Sequence, residues 1–179
     1  KDNVHERLRY LTALSALAYF ADRTNDQVLR TNLLTTIGVF AQRYSDGGQG
    51  AVFGQISRCA RAHVVSSAVE RDEPNVAIEV SADLAERVRA APLGPAVEDW
   101  PLLLAMQELA LADEPAKGLP LLMAVAIERA AALEGAEPKR ASRLYGAAAR
   151  AFVTLGDGPK ADGYAAKALA LVIGDGNAS

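Results

Sequence analysis

The sequence predicts an all-α fold assembled from about four antiparallel helix pairs, and three observations predict it. Alanine makes up about one residue in five, leucine is plentiful, and β-branched runs and Asn-Gly turns are almost absent, a composition that favours helix over sheet. Apolar residues recur at steps of three and four through most of the chain. Acidic residue and proline breakers return at similar intervals, as "DEP" at Asp72 to Pro74, "DEP" at Asp113 to Pro115 and "DGP" at Asp157 to Pro159.

The elements follow in order. A first helix carries Val4, Leu8, Leu11, Ser15 and Ala18 on one face, and "DRTND" at Asp22 to Asp26 ends it, with Asn25 or Asp26 as the N-cap of the next. That second helix carries Leu29, Leu33, Ile37, Ala41 and Tyr44. "SDGGQG" at Ser45 to Gly50 lacks a preceding strand and a following Gly-Lys-Ser or Gly-Lys-Thr, so it is a connector rather than a phosphate loop. Phe53, Ile56, Ala60, Val64 and Ala68 mark the third helix; Val76, Val80, Leu84 and Val88 mark the fourth. "PLLLAMQELALA" and "LPLLMAVAIERAAAL" are apolar nearly all round, as befits helices buried between neighbours. "APLGP" at Ala91 to Pro95 and "EGAEP" at Glu134 to Pro138 are looser connectors. Within each breaker, proline disfavours helical geometry at the residue before it, while its fixed φ suits the first turn of the following helix. An acidic residue ahead of that turn also suits the helix dipole. The chain therefore parses into pairs at 1–44, 50–90, 96–134 and 138–173, within one helical-repeat domain over 1–175 and a disordered tail over 176–179. A lone pair cannot bury both flanks, and stacking pairs side by side covers them.

The stretch "RLYGAAARAFVTLGDGPKADGYAAKALAL", Arg143 to Leu171, resembles a tetratricopeptide repeat, a helix-turn-helix unit of about 34 residues. Tyr145 takes the first aromatic place, Ala148 and Ala149 the small pair, and Phe152 the second aromatic. Gly156 and Asp157 take the turn, and Ala161, Ala168 and Leu169 fall in the second helix. Gly158-Pro159 departs from the pattern, as does the lack of a proline after Leu171. In the preceding unit Trp100, Leu103, Leu104 and Ala116 can be laid on the same pattern, while the first two units match by architecture alone. The resemblance implies a right-handed α-α superhelix, a TPR-like solenoid. It also implies a concave face that binds a protein or peptide segment, lined in the last unit by Arg143, Gly146, Arg150, Val153 and Thr154. Arg143 and Arg150 are two turns apart, roughly 10 Å along one helical face, and their paired N–H donors suit an acidic peptide or a C-terminal carboxylate.

Composition narrows the classes of function. At 179 residues the chain is long enough to bury roughly 70% of its unfolded surface. A net charge of −3 with scattered Lys and Arg argues against direct nucleic-acid binding, which needs concentrated positive charge. No apolar run is long enough to span a bilayer, so no membrane partner is expected. One cysteine, Cys59, permits no internal disulfide and makes a cytoplasmic, reducing compartment the default. Abundant alanine and arginine with little lysine suggests a GC-rich bacterial genome.

Catalytic constellations are weak. Cys59 and His63 stand four apart on one helical face, yet no orienting third group or oxyanion site accompanies them, and a thiol beside a partly buried histidine is the expected reading. No zinc-ligand spacing exists, and no cofactor is expected. Glu79 and Asp83 share a helical face and are expected to be solvated. Trp100, just before Pro101, is expected to cover the joint between two units. The expectation is a non-catalytic scaffold binding a protein or acidic peptide, with terminal units such as "AAKALALVI" able to pair in a homodimer. The alternative is the sensing domain of a bacterial transcription or signalling regulator, since a chain beginning at Lys1 leaves room for an upstream domain.

Overall fold

The structure, a computed structural model, describes residues 3–45, 50–94, 98–112 and 118–176, with side chains as far as residue 174. The "DEP" of Asp113 to Pro115, the centre of "SDGGQG", Pro95 and the last three residues lie outside the described residues. All described secondary structure is helical: α1 (Val4–Arg23), α2 (Gln27–Gln42), α3 (Gly50–Glu70), α4 (Pro74–Ala90), α5 (Trp100–Leu111), α6 (Gly118–Leu133), α7 (Pro138–Thr154) and α8 (Gly158–Gly176). None is long and apolar enough to cross a membrane.

Three of the turns are built alike. Asn25 (φ 58°), Asp72 (φ 55°) and Gly156 (φ 76°) adopt the left-handed conformation that closes α1, α3 and α7, a backbone state open to Gly and tolerated by Asn and Asp. The residue after each sends its N–H back five positions, from Asp26 to the Ala21 carbonyl (2.8 Å), Glu73 to Ala68 (2.8 Å) and Asp157 to Phe152 (2.9 Å). The chain then enters the next helix at once. Asp26 caps α2 by accepting the Leu29 N–H at 3.0 Å, and Asp157 accepts the Lys160 N–H at 3.2 Å. Glu73 makes no side-chain cap, and α4 begins instead on Pro74, whose missing N–H costs nothing at that position.

Helix adjacency sets where the core sits. α3 packs on α2, α4 and α5; α4 packs on α6; α7 packs on α5, α6 and α8. The main core runs through this assembly, with Leu84, Leu102, Leu109, Leu119, Leu122 and Leu144 at 0% exposure. Alanines at 141, 148 and 151 let α7 approach its neighbours, and Tyr145, Tyr164 and Phe152 stack between α7 and α8 at centroid spacings of 5.7 and 5.4 Å. α1 behaves differently. It packs on α2 and no Cα of it comes within 8 Å of α3 among the described residues. A smaller core of Leu11, Leu14, Ile37, Ala41 and Phe53 holds that end, continued by the ring series Tyr10, Phe40, Tyr44, Phe53.

Arginines from helix faces penetrate this framework. Arg61 is 8% exposed; it bonds the Asp83 carboxylate and donates to the Ser57 carbonyl at 3.1 Å. Asp83, read from sequence as solvated, has a side chain 39% exposed and also joins α3 to α4 by accepting from both Arg61 and Arg87 (2.8 Å). Arg129 and Asp99 have side chains only 5% exposed and pair at 2.9 Å, while Arg140 bonds the second Asp99 oxygen. Arg129 also donates to the carbonyls of Val88 (3.0 Å) and Ala91 (3.1 Å), so one buried charge ties α6 to the α4 terminus and the start of α5.

Candidate functional site

Because α1 leans on α2 and stands away from α3, the two odd-numbered helices leave a cleft of ≈ 660 Å³ between them. Its floor is apolar, formed by Leu34 and Ile37 of α2 with Ala18 and Ala60 from the walls. Hydrogen-bonding groups line both walls at helical spacing: Ser15, Tyr19 and Asp22 on α1, and Gln55, Cys59 and His63 on α3. An apolar floor with a few placed polar groups is the usual anatomy of a ligand site. One end is fastened by Arg30, which reaches Asp22 on α1 at 3.3 Å, Glu70 on α3 at 2.8 Å and the Gln27 amide oxygen at 3.1 Å. Three helices therefore meet on one guanidinium.

The Cys59 and His63 pair faces this cleft, and its environment is unsuited to nucleophilic chemistry. Burial pushes the Cys59 thiol up from its ordinary value despite the nearby Arg58 cation, and its polar neighbour is the Gln55 amide at 3.8 Å. A thiol kept protonated is a poor nucleophile. Burial, with Arg30 close by, pushes His63 down, so the imidazole is neutral near pH 7. Its ring rests against Trp100 at 5.5 Å between centroids. Trp100 is 44% exposed and so spans α3 and α5 from the surface. The spaced polar residues at 15, 19 and 22 and at 55, 59 and 63 were the sequence signal for this cleft. What hid it was the spacing between α1 and α3, which depends on packing between pairs.

The arginines predicted on the last unit lie elsewhere on the molecule. Arg143 and Arg150 are both exposed on α7 and border one shallow depression of ≈ 460 Å³, with Gly146 between them and Leu103, Leu169 and Val172 supplying apolar surface. Arg150 folds over Gly146, where an added Cβ would lie 3.9 Å from its Nη1. Neither arginine has a carboxylate at ion-pair distance among the described residues. Val153 is 67% exposed and Thr154 donates its hydroxyl to the Arg150 carbonyl at 3.3 Å; neither borders the depression. Between the cleft and the depression lies a third recess, at Trp100, Leu103, Arg140, Arg143 and Asp99. Comparison with known proteins returns no match: no family model fits the chain, and no curated protein or solved structure is significantly similar to it.

Proposed function

We propose that this chain is a non-catalytic binding module, a TPR-like right-handed superhelix that holds a segment of another protein along the surface of α1, α3, α5 and α7. The observation that carries the reading is the pair of exposed arginines, Arg143 and Arg150, which have no ion-pair partner among the described residues and border one partly apolar depression. Such a surface suits an acidic segment with an apolar residue between its charges, because each guanidinium offers paired donors to a carboxylate. The continuity of recesses supports a longer footprint: Leu103 and Arg143 border both the depression and the recess beside it, and Trp100 links that recess to His63. Fluorescence anisotropy with a labelled acidic, leucine-containing peptide tests it. Arg150→Glu is expected to weaken binding at least tenfold with an unchanged unfolding midpoint. Equal affinity in Arg150→Glu would remove the assigned face.

One observation favours a second reading, in which the chain senses a small ligand for a regulator. The α1–α3 cleft has the volume of a small-molecule pocket. A compound that binds there shifts Trp100 emission through His63 and leaves peptide binding at Arg143 and Arg150 intact. The row Leu169, Val172 and Ile173, exposed on α8, supports pairing of terminal helices between two copies.

A further inference from the structure

We infer that the recess between α3 and the end of α4 is a site for a small oxyanion, a carboxylate or a phosphoryl group, held by the buried guanidinium of Arg58. Arg58 is only 7% exposed, yet among the described residues its one hydrogen bond runs from Nη2 to the Gln55 amide oxygen at 2.8 Å, and Nε, wholly buried, has no partner there. A buried cation without a counter-charge is the least favourable arrangement in a protein interior. The carboxylates around it are already committed. Asp83 serves Arg61 and Arg87, and Asp99 serves Arg129 and Arg140. Glu86 borders the same recess but is exposed and makes no ion pair with Arg58.

The surroundings are open on the Arg58 side. The recess measures ≈ 530 Å³ and Gly54, one turn earlier, carries no side chain; a Cβ there would lie 3.3 Å from Arg58 Nη1. Gln42 borders it and gives one amide N–H to Ser45 Oγ at 3.0 Å, leaving its second donor for an incoming oxygen. Burial also pulls the Arg58 pKa down, in line with a charge short of compensation. The other buried arginines show what completion looks like: Arg61 and Arg129 each hold a carboxylate. Arg58 has the same burial and a recess in place of the carboxylate.

The test compares unfolding midpoints of wild type, Arg58→Met and Glu86→Gln in millimolar sodium phosphate or sodium acetate against sodium chloride of equal ionic strength. The expected result is a rise of roughly 5 °C in wild type near saturation, absent in Arg58→Met, with Arg58→Met melting no lower than wild type in chloride. Response to phosphate alone assigns a phosphoryl group, and response to acetate alone assigns a carboxylate. A rise that persists in Arg58→Met is general salt stabilisation and overturns the site, as does no rise in wild type with either anion. If Glu86→Gln lowers the chloride midpoint, Glu86 is the counter-charge and the site is refuted. Should Arg58→Met fail to fold, calorimetric titration of phosphate or acetate decides. Tighter binding in Glu86→Gln than in wild type upholds the site, and equal or weaker binding overturns it.

Discussion

Replacing Asp99 with Asn removes one negative charge from a place where two arginines meet. Arg129 is as buried as Asp99, both side chains being 5% exposed, so solvent cannot take over the lost interaction. Breaking such a pair by removing one partner costs about 3–5 kcal/mol. The lower end applies, because Arg129 keeps the carbonyls of Val88 and Ala91 and asparagine still presents one acceptor oxygen. For a chain of this length, about 3 kcal/mol corresponds to a fall of roughly 6–12 °C in the unfolding midpoint. Arg140→Gln should cost far less, about 1 kcal/mol, since Asp99 then retains Arg129 and the side chain removed is partly solvated. Urea titrations followed by helical circular dichroism measure both, and an unchanged m-value confirms that compactness is unaltered. The reasoning fails if Asp99→Asn stays within about 1 kcal/mol of wild type, or if Arg140→Gln costs as much as Asp99→Asn.

Two further predictions concern pH. Burial alone would raise the Asp83 carboxyl, but hydrogen bonds from Arg87 and Arg61 outweigh it and hold it below the usual range. A folded value below the unfolded one gives stability present above the unfolded pKa and lost as pH falls through the folded one. Asp83→Asn should therefore be less stable at pH 7 and flatten the acid limb below about pH 4; parallel acid limbs in the two proteins would count against it. Tyr145 is pushed up to about 12 by burial and by its hydroxyl's donation to the Glu134 carboxylate. Its contribution is complete below the unfolded value near 10 and lost as pH rises toward about 12. Tyr145→Phe should lose about 1 kcal/mol at pH 7 and show a shallower alkaline limb, and near-ultraviolet phenolate absorbance should show one tyrosine titrating late. Simultaneous titration of all tyrosines would contradict the assignment.

How much was legible in the sequence depends on whether the cause was local. Helix limits were readable because their punctuation is: Pro74 and Pro138 open helices, Asp26 and Asp157 cap them, and Asn25, Asp72 and Gly156 supply the left-handed residue. The buried arginines were not. Nothing in the local pattern of α3 marks Arg58 and Arg61, or in that of α6 marks Arg129, as buried, and only partners 22 and 30 residues distant, Asp83 and Asp99, draw Arg61 and Arg129 inward. Gly38 held a faint signal, since a Cβ there would lie 3.0 Å from Arg61 Nη1, so this helical glycine makes room for a buried guanidinium. The cleft required knowing that α1 stands away from α3, a matter of packing between pairs and invisible to periodicity.

The threefold recurrence of one turn has a consequence for how such a chain can be altered. The same backbone bonds close three joints, from Ala21 to Asp26, Ala68 to Glu73 and Phe152 to Asp157, so the stop of one helix and the start of the next are set within half a dozen residues. Elbows of one pattern are the natural seams at which to lift out, duplicate or graft a segment, because the bonds that close each joint travel with it.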